Sequence, residues 1–171
     1  MAIQQNIKLT VDALVFGVSD KELSVLLIQR KDKSWAIPGG FVDDNEALKT
    51  AAQRELEEET GIKAMHLFQF YTFGDDVNRD PRGHTVAVAH MTVMRKSLLE
   101  AKAGSDARNL KWVNWKEVPP LSFDHNLIIK KAIQKLQQIL QHQLPEINWL
   151  KKELSEQEIQ QIRKEINQTK A

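Results

Sequence analysis

The chain has 171 residues, of which 42% are hydrophobic and 27% charged, the balance of one soluble globular domain with a sizeable core. Its 24 basic and 23 acidic side chains leave a net charge of +1, which excludes a general attraction to nucleic acid or anionic membrane, so any phosphate binding must be local. The lack of cysteine excludes disulfides and thiolate metal sites, and neither a signal-peptide layout nor a bilayer-length apolar run is present; the expectation is a cytoplasmic protein.

Residues Ile7 to Gly17 alternate, with Ile7, Leu9, Val11, Ala13 and Val15 on one side, which predicts a strand. A polar turn at Ser19 and Asp20 leads to a second apolar run, Leu23 to Gln29, and the pair reads as a hairpin. Pro38-Gly39-Gly40 interrupts regular structure, and a helix is expected from Glu46 to Thr60, with Asn45 as N-cap and Gly61 as its left-handed stop. Strands follow at Leu67–Phe73, His84–Met94 and Leu110–Asn114. A second helix begins near Asp124, with Ile129, Ala132, Ile133, Leu136 and Leu140 at helical spacing, and Pro145 lies at or beyond its end. The tail carries a capping box at Ser155 and Glu158, a staple pair in Leu154 and Ile159, and a narrow stripe of Ile159, Ile162 and Ile166. Interleaved strands and helices imply an α/β layer structure over residues 1–144 with a short helical extension over 145–171.

Gly40 to Ile62, GFVDDNEALKTAAQRELEEETGI, is the informative segment. At roughly 100° per residue, Leu48, Ala51 and Ala52 share a face with Glu55, Glu58 and Glu59, so the inward stripe turns acidic in its last two turns. A solvated charge run is the plain reading of such a cluster, but these carboxylates repel one another and face the negative end of the helix dipole, which weighs against it. A hard divalent cation offsets the repulsion; oxygen donors without interleaved histidine suit Mg²⁺ or Mn²⁺ rather than zinc.

The segment resembles the Nudix signature at every defined position: Gly40, Glu46 after five residues, then after seven more Arg54-Glu55-Leu56, Glu58-Glu59, and Gly61-Ile62. The resemblance implies a Nudix fold, a mixed β-sheet sandwiched between helices, and a pyrophosphohydrolase that cleaves a nucleoside diphosphate linked to another moiety. It also implies that Glu55, Glu58, Glu59 and the Gly39 carbonyl hold the metal, and that Glu46 and Arg54 orient the loop and its glutamates. Bound metals would neutralise pyrophosphate oxygens and activate a water. A carboxylate must take the proton. Some relatives use a loop acid, here Asp106, six residues before Trp112; a turn residue after Gly104-Ser105 is the equal alternative.

Arg79-Asp80-Pro81-Arg82-Gly83 and the later Phe123-Asp124-His125 resemble the branch that prefers ADP-ribose, split into AMP and ribose 5-phosphate. Arg79 and Arg82 offer forked cations to phosphate, Arg30 is a third phosphate candidate, and Trp35 is either a stacking platform or a core aromatic. Asp124 reads as a helix cap and His125 as a surface residue. Two alternatives stay open: sanitation of oxidised nucleoside triphosphates, and a non-catalytic ADP-ribose sensor related to transcriptional regulators. Against DNA binding, the tail from Glu146 to Lys170 balances five acids with five bases and is too short for a winged helix. The branch resemblance implies a homodimer, and no nucleic-acid or membrane partner is expected.

Overall fold

The computed structural model describes residues 6–19, 22–64, 66–98 and 109–168. Its elements are β1 (Lys8–Val18), β2 (Leu23–Gln29), β3 (Trp35–Ala36), β4 (Gly39–Phe41), α1 (Leu48–Thr60), β5 (Phe68–Phe73), β6 (Thr85–Arg95), β7 (Leu110–Asn114), α2 (His125–His142), α3 (Ile147–Glu153) and α4 (Glu156–Asn167).

β1 is the central strand. It runs parallel to β6, from Lys8 opposite Thr85 to Val18 opposite Arg95, and antiparallel to β2 and β4. The order β3-β2-β1-β6-β5, with β4 on β1 and β7 on β2, makes a mixed sheet. Alternation along β1 sends Val11, Ala13 and Val15 toward α1, where they meet Ala51, Ala52 and Leu56. Leu14, Phe16 and Val18 point the other way, into a core shared with α2, α3 and α4. Both faces are thus buried, which is why every residue from Val11 to Val18 is inaccessible although the expected alternation gave β1 a single apolar side.

α1 begins at Leu48 rather than Glu46. Asn45 adopts a left-handed φ of 62°, not the extended backbone of an N-cap; Ala47 takes that position without a side-chain cap. Glu46 is drawn out of the helix because its carboxylate is engaged elsewhere. Gly61, at φ 71°, ends α1 by donating its N–H to the Glu57 carbonyl, as its sequence position suggested.

The tail contains one helix more than its motifs indicated. α3 spans only seven residues and buries Ile147 and Leu150. The capping box of α4 is present, with Glu158 N–H donating to Ser155 Oγ and Ser155 N–H to the Glu158 carboxylate. Glu158 also accepts from Arg95 at the end of β6, and Glu165 from the Leu23 amide and the Trp115 indole. Ile159, Ile162 and Ile166 lie in the same core as Leu14 and Leu136, so the tail completes one wall of the sandwich.

Candidate functional site

α1 places its acidic face against the β4 strand, and two glycines permit the approach. A Cβ on Gly40 would fall on the Glu55 carboxylate, and one on Gly39 on the Val11 carbonyl. Glu59 accepts the Gly39 N–H at 2.9 Å. Arg54 uses its whole fork: Nε and Nη2 donate to Glu46 at 2.9 and 2.8 Å, Nη2 also to the Phe41 carbonyl, and Nη1 to Glu55 at 2.7 Å and Glu58 at 3.4 Å. Glu46 in turn accepts the Asp43 amide, which closes the loop between β4 and α1. The Arg54 bonds hold the Glu46 carboxyl down at about 2, whereas burial pushes Glu55 above the ordinary carboxylate range.

These oxygens are the right donors for a hard divalent cation. In this arrangement Arg54 stands between Glu55 and Glu58, and among the described residues no three acidic or histidine side chains converge tightly enough to enclose an ion. Glu58, with 56% of its side chain exposed, is unhindered in reorienting. The donor set therefore fits a metal that draws the carboxylates together.

A second cluster stands beside Gly39 and Gly40. Arg79 is buried and donates Nε to Asp124 Oδ2 at 2.8 Å and Nη2 to Oδ1. Asp80, also buried, accepts from the Arg82 backbone and guanidinium. The Arg82 guanidinium lies 4.7 Å from the Phe41 ring and 5.0 Å from that of Phe123, and Arg30 stands 4.9 Å from the same Phe123 ring. Phe123 holds a left-handed φ of 55°, a strained conformation for an aromatic residue.

Behind this stack are two residues whose place the sequence did not reveal. His125 is buried rather than on the surface: its Nδ1 accepts the Ile37 N–H at 2.9 Å, which puts its proton on Nε2, 3.5 Å from Asp12 Oδ1. Burial, reinforced by Arg79 and Arg30, holds His125 down at about 3, and burial raises Asp12 to about 7 against the pull of Arg79. Asp124 occupies the N-cap position of α2 but makes no side-chain cap bond, because both its oxygens serve Arg79. The one available signal was an acid set inside the apolar run from Val11 to Val18.

The site thus assembles Gly39, Arg54, Glu55, Glu58 and Glu59 on one side and Arg30, Arg79 and Arg82 on the other. Arg30, Lys31, Asp32 and Glu59 line an open groove of about 360 Å³. Trp35 packs half-buried against the α2 core, and the Lys111 ammonium stands 5.8 Å from its ring. Asp106 falls outside the described residues. An apolar cleft lined by Trp115, Ile129, Ile133 and Ile166 contains none of these groups.

A mixed sheet between helices, with a glycine loop facing an acidic helix, defines a Nudix-type domain, and residues 8–136 match the NUDIX domain family. The chain belongs to the Nudix family. It is 38% identical over 122 residues to an ADP-ribose pyrophosphatase of Methanocaldococcus jannaschii, covering 68% of this chain and 69% of that protein. It is 35% identical over 136 residues to the ADPR responsive transcriptional repressor NtrR of Acinetobacter baylyi, covering 75% of this chain but only 54% of the repressor. The NUDIX domain of Shewanella oneidensis NrtR, solved in complex with ADP ribose, superposes with a TM-score of 0.72 at 32% identity, over 78% of this chain and 90% of that one.

Proposed function

We propose that the chain hydrolyses ADP-ribose to AMP and ribose 5-phosphate with Mg²⁺, Mn²⁺ being a substitute. The observation that carries this reading is the acidic face of α1 at the Gly39–Gly40 edge, where Glu59 accepts the Gly39 N–H, Glu55 lies against Gly40, and Arg54 ties Glu46, Glu55 and Glu58 together. Glu55, Glu58, Glu59 and the Gly39 carbonyl would hold the metal, which when bound neutralises pyrophosphate oxygens and lowers the pKa of a water. Water adds to one phosphorus, the P–O–P bridge breaks, and the departing phosphate carries the bridging oxygen. Arg30 flanks the groove beside Glu59 and is placed to meet phosphate oxygens. A carboxylate takes the proton of the attacking water, either one of these glutamates or an acid on a later loop. Arg79 and Asp80 hold the loop that presents Arg82.

The choice of ADP-ribose is supported by the identity to the M. jannaschii pyrophosphatase and by the ligand of the NrtR domain. A second reading, ADP-ribose sensing without turnover, is favoured by the similarity to the A. baylyi repressor. Incubation with Mg²⁺ and a panel of ADP-ribose, NADH, 8-oxo-dGTP, sugar nucleotides and diadenosine polyphosphates decides among them. ADP-ribose is expected to give AMP fastest. Faster turnover of another member overturns the substrate, and tight ADP-ribose binding without turnover establishes the sensor.

A further inference from the structure

Between β3 and β4 the chain passes through Ile37 and Pro38, and its backbone is fixed there at three points. The Pro38 carbonyl accepts the Ala13 N–H at 2.8 Å, and the Gly39 N–H donates to Glu59 at 2.9 Å. The Ile37 N–H is held by a side chain instead of a strand, donating to Nδ1 of His125 at 2.9 Å. Proline locks its own φ, so a displacement of the Ile37 amide passes to Gly39, two residues on, with little to absorb it.

His125 is itself held firmly. Its ring is buried, stands 5.4 Å from the Phe123 ring, and sets Nε2 3.5 Å from Oδ1 of Asp12, the register partner of Gly39 in the β1–β4 pair. The preceding Asp124 is clamped by Arg79. Ser122 meets the same segment: its N–H donates to the Trp35 carbonyl at 2.8 Å, and its hydroxyl lies 2.6 Å from that of Ser34. Between these contacts Phe123 keeps its left-handed φ, which persists only where the surroundings enforce it. Bonds one shell out from a metal set the orientation of its ligands.

We propose that His125 is a positioning residue for the metal edge: by accepting the Ile37 N–H it fixes the Pro38–Gly39 backbone and so couples the first turn of α2 to the Gly39 carbonyl. The proposal rests on the reading of Gly39, Glu55, Glu58 and Glu59 as the metal-holding set. It is tested by Mn²⁺ affinity of the full chain, read from the loss of the free-ion signal in electron paramagnetic resonance. His125→Asn keeps an oxygen acceptor near the place of Nδ1, whereas His125→Gln carries its amide out toward the place of Nε2. The Gln variant is expected to bind Mn²⁺ about tenfold or more weakly, and the Asn variant within about threefold of the unmodified chain. Ile133→Ala, two turns further along α2 and about 12 Å away, weakens the core and is expected to leave Mn²⁺ affinity unchanged. Initial rates with ADP-ribose should show the Gln defect as a raised Mg²⁺ half-saturation that high Mg²⁺ recovers. If His125→Gln loses its native circular dichroism, the unmodified chain decides. Coupling is reciprocal, so saturating Mg²⁺ should slow amide hydrogen exchange at Ile37 more than at Ile133, and equal slowing overturns the proposal. Unchanged Mn²⁺ affinity in folded His125→Gln, or equal losses in the Gln variant and in either Asn or Ile133→Ala, also overturns it and leaves the acidic helix as the metal site. Failure of the unmodified chain to bind Mn²⁺ removes the metal reading, and the role of His125 with it.

Discussion

Arg79 and Asp124, 45 residues apart in the chain, form a forked ion pair in which only 4% of the arginine side chain reaches solvent. The pair ties the loop after β5 to the first turn of α2, and so fixes Phe123 and His125 on either side of Asp124. Removing one member strands a buried charge. Asp124→Asn is expected to cost about 3 kcal/mol, read as a lower urea midpoint at constant slope. The double variant Arg79→Met with Asp124→Leu is expected to recover much of that loss, since neither residue then carries charge. Additive losses in the double variant would show that the pair is not coupled.

The five contacts of Arg54 make a second prediction. A lysine keeps the charge but lacks the fork, so Arg54→Lys releases Glu46 or Glu55, whichever it fails to reach. Activity is expected to fall by about 10- to 100-fold, with a higher Mg²⁺ concentration needed for the half-maximal rate and an unchanged fold. An Mg²⁺ titration of initial rates, set beside the melting curve, separates this outcome from simple destabilisation.

Glu58→Gln tests the acidic face itself. The side chain is 56% exposed and holds only a 3.4 Å contact to Arg54, so its melting temperature is expected to stay within about 2 °C. Turnover is expected to drop by about a hundredfold or more. Unchanged turnover would refute the role given to this helix.

How much of this was legible in the chain depended on distance along it. The Gly40–Ile62 signature is local: its spacing alone places Glu55, Glu58 and Glu59 on one helical face, and the structure sets that face against Gly39 and Gly40. Asp12 and His125 were opaque for the opposite reason. Asp12 alternates with Val11 and Ala13 and reads as the solvent side of a half-buried strand, until His125 of α2 and the loop carrying Arg79 cover that side. His125 stands between Asp124 and Asn126, and the partner of its Nδ1 is the Ile37 amide, 88 residues earlier. Arg79 and Arg82 were visible as cations, but their partners Asp124 and Asp80 were not, so the sequence pattern overstated what Arg79 has left to offer a phosphate.

The pair behind the Phe123 stack predicts an unusual pH response. His125, held at about 3 when folded against 6.5 when free, lets the unfolded chain take up a proton first, so its contribution is lost as pH falls from 6.5 toward 3. Asp12 behaves oppositely. Raised from 3.8 to about 7, it binds its proton more tightly when folded, and its contribution is lost as pH rises from 3.8 through 7. Between about pH 4 and 6.5 the slopes oppose each other in the unmodified chain. Asp12→Asn is expected to unmask the histidine, with stability rising with pH by at most about 1.4 kcal/mol per unit, and His125→Gln the reverse. Urea unfolding at half-unit pH steps reads both slopes; parallel profiles for the two variants would exclude the opposition.

At the far end of the molecule, Glu158 serves two structures at once, the N-terminus of α4 and the Arg95 guanidinium of β6. The Arg95 bonds hold its carboxyl down at about 2, below an ordinary value of 4.5. Its contribution is therefore complete above pH 4.5 and lost as pH falls from there toward 2. Glu158→Gln is expected to lower stability near neutrality, and the difference from the unmodified chain should shrink steadily across that acid window. Because Ile159, Ile162 and Ile166 line the same core as Leu14 and Leu136, release of α4 uncovers one face of the sheet. Hydrogen exchange should then quicken in β1 as well as in α4 when Glu158 is replaced. Faster exchange confined to α4 would show that the helix frays alone and that the core closes without it.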